Sequence, residues 1–402
     1  MSKINDLIKK LCPKGVKYYL LADLEDNNKI ILGRGNVISK SDIRENPGDY
    51  PVYSSSAVGN GEIGRYGKYM FEDVRISWSI DGGGRFFYRN APKYSITNVS
   101  GWLKVLDDSF IDAKYLYYSL TNEWTKKTYD YTHKAHPSVI RKEYIIPIPP
   151  LEVQEEIVRI LDKFGELEAE LEAELEARKN QYEFWRGKVF DIKGETKTYK
   201  LEEVLKSLKT GLNPRKFFRL NTEDADGYYV TVREIGDRNV RYWESKDRVN
   251  RDGLLRINER ANLEIGDVLF SGTGTIGRVS LIEETPDNWN VKEGVYILKP
   301  KKEIINPVYL MHLMRSDYMK KLYSDHIVGS PVSSVPMKDL KNVEFELPDL
   351  ETQERISNIL DKFDKLINDM TVGLPAEIEL RRKQYEYYRN KLLSFKELSV
   401  SE

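Results

Sequence analysis

Cysteine is almost missing. Cys12 is the only one in 402 residues, which excludes a disulfide framework and any cysteine-rich zinc site. No apolar run reaches the length of about 18 residues that spans a bilayer. The opening residues Met1-Ser2-Lys3-Ile4-Asn5-Asp6 lack the apolar stretch of a signal peptide. The expectation is a cytoplasmic protein with no membrane among its partners. A dominant charge is lacking too. Lys and Arg number 63 against 64 Asp and Glu, a net charge of −1. That balance excludes a protein that coats nucleic acid by bulk charge. It leaves room for a DNA reader whose basic groups sit on one face.

Catalytic signatures are absent as well. The chain has no Asp/Asn-Pro-Pro-aromatic tetrad of an amino-methyltransferase, no Pro-Asp followed closely by Asp/Glu-x-Lys as in nucleases, no Walker motif and no Gly-x-Ser-x-Gly elbow. Its histidines are His133, His136, His312 and His326. His133 and His136 have metal-compatible spacing but no third ligand beside them, so a turn is the better reading and no metal is expected. A non-enzyme is the expectation.

What is present is a repeat. Leu151-Glu-Val-Gln-Glu-Glu-Ile-Val-Arg-Ile-Leu-Asp-Lys-Phe164 returns as Leu350-Glu-Thr-Gln-Glu-Arg-Ile-Ser-Asn-Ile-Leu-Asp-Lys-Phe363, identical at ten of fourteen positions and offset by 199. Gln181-Tyr-Glu-Phe-Trp-Arg-Gly-Lys188 returns as Gln384-Tyr-Glu-Tyr-Tyr-Arg-Asn-Lys391, offset by 203. Four extra residues are about one helical turn, so an apolar face survives the insertion. The chain is therefore two halves of one plan.

Each half opens with a segment rich in Gly, Tyr, Val and Ile and closes on a helix. Prolines at Pro147, Pro149, Pro150 and Pro348 mark the joints, since proline suits a helix start and not its interior. Apolar residues at Val153, Ile157, Ile160, Phe164, Leu167, Leu171, Leu175, Tyr182, Trp185 and Val189 make a coiled-coil seam. The second helix carries Ile356, Ile359, Phe363, Leu366, Met370, Leu374, Ile378, Tyr385, Tyr388 and Leu392, with a break expected near Gly373 and Pro375. About forty residues make a rod of roughly 60 Å, too long to bury its seam on its own globular neighbour. Two such rods most simply pack on each other. Glu166, Glu170 and Glu174 read as a solvated helix face. A docking surface for a basic partner is the other reading.

The parts between are mixed α/β. Strands are expected at Asp267–Phe270, Arg278–Ile282 and Val295–Leu298, and helices at Ala113–Leu120 and Pro307–Met314. The expected boundaries are a first globular domain over 1–149, a helical spacer over 150–192, a second globular domain over 193–347 and a second spacer over 348–402. Residues 1–149 carry 22 basic and 17 acidic side chains, whereas 150–194 carry 7 and 12. The first globule suits phosphate contact better than the first rod does.

Gly272-Thr-Gly-Thr-Ile-Gly277 matches G-x-G-x-x-G, but Arg278-Val-Ser-Leu-Ile282 after it reads as a strand. The dinucleotide reading needs a helix there, so a turn or a DNA-approaching loop is expected. Gly61-Glu-Ile-Gly-Arg65 echoes Gly274-Thr-Ile-Gly-Arg278 and is read as its counterpart. Tyr53-Ser-Ser-Ser56 and Ser77-Trp-Ser-Ile-Asp-Gly-Gly-Gly-Arg85 flank it. Hydroxyls, glycine and arginine in loops contact phosphates and base edges, and they also make ordinary turns.

At these residues the chain resembles the DNA-specificity subunit of type I restriction–modification systems. The resemblance runs over essentially the whole chain. It rests on the two Pro-x-Leu-x-x-Gln-x-x-Ile blocks (Pro149 to Ile157, Pro348 to Ile356) and the Gln-Tyr-Glu-aromatic-aromatic-Arg repeat. Leu269 to Arg278 and Tyr50 to Ser56 also look like that family's target-recognition segments. The resemblance implies two tandem mixed α/β recognition domains, each followed by a long helix. The helices would pair as an antiparallel coiled coil with quasi-twofold symmetry, a ruler between two DNA half-sites. It implies two copies of a modification subunit docked on the helical regions, with contacts at Gln154, Glu155, Gln353 and Glu354, and a restriction/translocase subunit in the full complex. S-adenosylmethionine, ATP and Mg would belong to those partners, and this chain would bind no cofactor.

Because Tyr50–Arg85 and Ile265–Val279 differ in length and chemistry, the implied site on double-stranded DNA is asymmetric. The expected DNA-binding residues are Ser54, Ser55, Arg65, Trp78, Arg85 and Lys134 in the first domain. In the second they are Arg215, Arg233, Ser271, Thr273, Thr275, Arg278 and Ser330. The competing reading is a protein-interaction scaffold, two modules on a coiled-coil strut.

Overall fold

The computed structural model describes residues 2–55, 59–81, 83–130, 132–190, 195–236, 238–329, 331–368 and 371–398. It divides into two compact units, Met1–Glu170 with Ile378–Glu402, and Leu171–Glu377. Each unit holds one globular segment and helix from both spacer regions.

In the first unit the strands are β1 (Tyr18–Leu20), β2 (Ile30–Arg34), β3 (Tyr50–Tyr53), β4 (Glu62–Tyr66), β5 (Arg75–Ser79), β6 (Phe86–Arg89), β7 (Ser95–Ile96), β8 (Ser100–Val105) and β9 (Ile145–Pro147). They form sheets ordered β2-β8-β5-β6, β4-β3-β7 and β1-β9. In the second unit they are β10 (Lys197–Lys200), β11 (Leu205–Thr210), β12 (Gly227–Val230), β13 (Arg248–Val249), β14 (Val268–Ser271), β15 (Val279–Leu281), β16 (Trp289–Val291), β17 (Val295–Pro300) and β18 (Glu344–Leu347). Their sheets are ordered β11-β17-β14-β15, β13-β12-β16 and β10-β18. The two sets correspond strand for strand. Even the parallel pairs, β3 with β7 and β12 with β16, fall in the same place. The repeat that the helices announce in sequence therefore extends through the globular parts, where the sequences diverge.

One helix packs on each four-stranded sheet, Ala113–Trp124 in the first unit and Pro307–Arg315 in the second. Each starts at a side-chain cap. Asp112 accepts from the backbone N–H groups of Lys114 and Tyr115, and Asn306 from those of Val308 and Tyr309. Caps of this kind satisfy N–H groups that a helix start leaves unpaired. Behind them Tyr115, Leu116, Tyr309 and Leu310 are fully buried.

The first spacer helix runs over Leu151–Lys188 without interruption. The second spacer is two helices, Leu350–Asn368 and Leu374–Leu392. Beyond Leu392 the expected helical spacer gives way to an extended segment of the first unit. Val16 N–H donates to the Lys396 carbonyl, and Leu398 N–H to that of Val16.

The seam is used differently from the expectation of helix against helix alone. Val153, Ile157 and Leu161 are completely buried in the core of their own globule, and so are Leu360 and, nearly, Ile356 in theirs. Burying such a side chain is worth about 1.5–3 kcal/mol, so these turns belong to the domains. Farther along, helix meets helix. In the first unit Phe164 stacks on Tyr388 at 5.3 Å, and Glu168 pairs with Arg382 at 2.7 Å, an antiparallel register. In the second, the Tyr182 ring lies 6.4 Å from that of Phe363. Among the described residues no helix is long and apolar enough to cross a membrane.

Candidate nucleic-acid interface

Matching the two units strand by strand shows which loops correspond. The hairpin β5–β6 corresponds to β14–β15, so residues 80–85 correspond to 272–278. In both loops a glycine of positive φ directly precedes an exposed arginine: Gly84 (φ +75°) before Arg85, and Gly277 (φ +89°) before Arg278. That backbone region is costly for any residue with a Cβ. The glycine turns the chain so that the arginine opens the outgoing strand.

This replaces the pairing read from sequence. Gly61–Arg65 is not the counterpart of Gly274–Arg278. Most of it is strand β4, whose match is β13. Gly-x-x-Gly-Arg strings are ordinary turn composition, and composition carries no register. The G-x-G-x-x-G string lies in a β-hairpin with no helix after it, so it offers no helix N-terminus to a pyrophosphate.

A second loop sits against each hairpin. In the first unit this is 125–136. Ala135 N–H donates to the Ile80 carbonyl, Trp124 Nε1 to that of Gly83, and Lys134 pairs with Asp81 at 2.8 Å. In the second unit the equivalent loop is 325–336. Val335 N–H donates to the Gly272 carbonyl, Gly274 N–H to that of Ser333, and Thr273 and Ser334 form an antiparallel bridge. Each unit thus presents a two-loop edge where Arg85 and Lys134, or Thr273, Thr275 and Arg278, come together.

Arg85 is exposed with its guanidinium 5.2 Å from the Phe87 ring. Arg278 is exposed, and its guanidinium donates to the carbonyls of Val232 and Ile235. Neither has an ion-pair partner among the described residues, which leaves the charge open to a phosphate or a guanine edge. Arg215 is exposed in the short helix Pro214–Phe217, away from these contacts in sequence. Arg65 and Arg233 are exposed but engaged, Arg65 with Glu62 at 3.2 Å and Arg233 with Asp247 at 3.1 Å. Ser54 and Ser55 are half-buried, and Ser54 Oγ accepts from Thr97 Oγ1. Ser330 lies outside the described residues.

Four expected contacts are corrected by burial. Trp78 is 1% exposed and donates through Nε1 to the Ala135 carbonyl at 2.7 Å, so it is core that braces the second loop. Ser271 is fully buried and receives the Arg278 N–H at 2.8 Å, closing the base of the hairpin. Gln154 and Gln353 are fully buried and spend their amides inside the chain. Gln154 Oε1 accepts from Asp112 N–H at 2.9 Å, and its Nε2 donates to the carbonyls of Phe110 (3.0 Å) and Pro149 (2.7 Å). Gln353 does the same with Asn306 N–H (2.9 Å), Ile304 (3.0 Å) and Pro348 (2.8 Å). Each latches the start of a spacer helix to the capping residue of the domain helix. Glu155 and Glu354, one residue on, are exposed.

One supporting residue went unread in the sequence. Arg89 is 4% exposed, lies 3.8 Å from the Tyr53 ring centroid, and donates to Ser77 Oγ and the Asn60 carbonyl. Burial lowers its pKa to about 10. It ties β6 to the loop after β3. No periodicity marks an arginine that turns inward. Among the described residues, no group of three or more His, Cys, Asp or Glu is placed to hold a metal ion.

Two like domains, each with a loop edge that brings an open arginine together with polar side chains, define a class of paired recognition modules. The family pattern of the type I restriction modification DNA specificity domain matches residues 13–177 and again 193–380. The chain belongs to that family, with one DNA specificity domain in each half. A protein of Mycoplasma pneumoniae provisionally described as a type I specificity subunit is 29% identical over 94% of this chain and 98% of its own. The EcoR124I/EcoR124II specificity subunit of Escherichia coli is 32% identical over 72% of each chain. Among solved structures, the S subunit of a type I system from M. genitalium has a TM-score of 0.54 at 16% identity, covering 94% of this chain and 96% of that one. A structure solved to explain assembly and conformational transition of the type I system has a TM-score of 0.58 at 15% identity, with 95% and 98% covered. Family membership makes the chain a non-catalytic DNA-recognition subunit, and the likeness to the solved chains is one of fold.

Proposed function

We propose that the two units read two different halves of one split DNA sequence, with the spacer helices setting the gap between them. The observation that carries this reading is the twinned two-loop edge: one framework, two chemistries. A twofold-like pair of readers suits half-sites at a fixed separation. Different loops on equivalent strands suit an asymmetric site. Two copies of a modification subunit would dock along the helical regions, where Glu155 and Glu354 stand exposed in equivalent turns. Those subunits would bring S-adenosylmethionine and the methyl transfer. A restriction/translocase subunit would bring ATP and Mg. The complex would act in the cytoplasm, on DNA lacking the host's methylation.

Expression with the modification subunit in a methylation-free host, followed by mapping of N6-methyladenine, tests this directly. The expected result is a two-part motif with a fixed gap, absent when this chain is omitted. Exchanging residues 195–347 for those of another specificity subunit is expected to change one half of the motif and leave the other. An unaltered motif after that exchange overturns the reading. A complex that forms yet shows no salt-dependent affinity for duplex DNA would favour a protein scaffold.

Arg85→Ala and Arg278→Ala are each expected to weaken binding by about 1–3 kcal/mol if the guanidinium reads a guanine. Each then relaxes preference at one base pair of its own half-site. A uniform loss across sequences, with a shallower salt slope, would assign that arginine to a phosphate. Unchanged affinity and preference in both variants would remove these arginines from the interface.

A further inference from the structure

Among the described residues, the second unit's two-loop edge carries exposed apolar side chains that its counterpart does not. Ile327, Val328 and Val332 are 42%, 51% and 58% exposed. They stand beside the bridge of reciprocal hydrogen bonds between Val328 and Ser334, each 2.8 Å. That bridge is joined to the loop of Thr273 and Arg278 by the Thr273–Ser334 pairing and the Gly274 N–H bond to Ser333. The matching loop of the first unit presents Asp130, Thr132, His133 and Lys134 instead, all exposed. These three β-branched apolar side chains are exposed and stand outside the buried core clusters of their unit. They are continuous with hydroxyl and guanidinium groups suited to base edges.

Duplex DNA offers such side chains one distinctive apolar group in the major groove, the C5-methyl of thymine. Resting on the proposal that these loops read DNA, we propose that the exposed side chains of Ile327, Val328 and Val332 form a thymine-methyl sensor, with Val332 and Val328 packing on that methyl. The second unit's half-site then contains at least one A·T pair selected by apolar contact, beside the pairs read by hydrogen bonds.

The test uses the complex of this chain with its modification subunit and the motif found by methylation mapping. Each thymine of the motif is replaced in turn by deoxyuracil, which removes only the methyl, and dissociation constants are measured at one fixed salt concentration. One position in one half-site is expected to lose about fourfold in affinity, the worth of one buried methyl group. Val332→Ser or Val328→Ser is expected to lose a similar factor on thymine DNA and to abolish the thymine–uracil difference at that position alone. Both side chains are more than half exposed, so neither change disturbs the core. The proposal is overturned by a second half-site of only G·C pairs, by equal affinity for every uracil duplex, or by serine variants that still distinguish the two bases. Serine variants that release the modification subunit instead would make these side chains a protein contact and also overturn it. If the complex assembles and no motif or DNA affinity appears, the DNA-reading proposal falls with it, an outcome distinct from a motif that ignores the methyl.

Discussion

Gln353→Leu is expected to lower the unfolding free energy of the second unit by about 3–5 kcal/mol, and Gln154→Leu to do the same in the first. Each change keeps most of the side-chain volume and removes three hydrogen bonds at a fully buried position. The loss is larger than the net worth of those bonds. A part-buried backbone N–H and two carbonyls, one of them buried, lose their partners, and an unsatisfied buried group costs about 1–3 kcal/mol. The N–H is that of Asn306, the residue whose side chain caps the helix Pro307–Arg315, so the cap and the latch fail together. Gln353→Glu separates the two ends of the amide. It keeps the acceptor for Asn306 but sets a carboxylate against the carbonyls of Ile304 and Pro348, so its stability should fall as the pH rises through the carboxylate range. Urea unfolding followed by hydrogen exchange, which assigns the loss to one unit, is the measurement. A loss below about 1 kcal/mol in both leucine variants would refute the latch.

The glutamines also show where sequence reading succeeds and stops. The repeated block around them is legible because a helix writes its apolar face at a fixed period, and both copies keep it. The role of the glutamine is illegible, because its partner is the backbone amide of a residue 42 or 47 positions earlier, and backbone amides have no sequence. The family resemblance implies partner contacts at both glutamines, and burial reverses that. The same limit explains the loops. Strands over Val268–Ser271 and Val295–Pro300, and the two domain helices, follow from local pattern. The correspondence of 80–85 with 272–278 follows only from sheet order, since the two loops share little beyond Gly-Arg. Trp78 lay in a stretch of Ser, Gly and Arg that reads as a surface loop, yet it belongs to strand β5. The exposed Ile327, Val328 and Val332 carry no local mark, because exposure is set by what packs around a segment and not by the segment itself.

Asp361→Ala is expected to cost the second unit about 2–3 kcal/mol at neutral pH and to alter its response to acid. Asp361 receives His312 Nε2–H at 2.8 Å and a hydrogen bond from Arg238, which also holds Glu283 at 2.7 Å. Hydrogen bonds to a charged group are worth about 1.5–3 kcal/mol each, and Glu283 still steadies Arg238 in the variant. Burial pushes the Asp361 carboxyl up, but His312 and Arg238 prevail and hold it below the usual range. His312 is fully buried, and that burial depresses its pKa below 6.5, although Asp361 draws it the other way. Its Nδ1 has no hydrogen-bond partner among the described residues, so a second ring proton has nowhere to go. Arg315 and Asp364, which also face the ring, oppose each other in sign.

Both folded-state pKa values are depressed, so the signs agree. The stability they contribute is present above the unfolded pKa values and is lost as the pH falls. For His312 the loss begins near the unfolded value of about 6.5 and continues down to the folded one. For Asp361 it comes lower, across the carboxylate range. The second unit should therefore weaken between pH 7 and 5.5, before carboxylates titrate. His312→Gln should remove that early step and leave the later one. Urea midpoints of the full chain at pH 7.5, 5.5 and 4, with hydrogen exchange to locate the change, separate the two steps. An early step that persists in His312→Gln would assign it to another group.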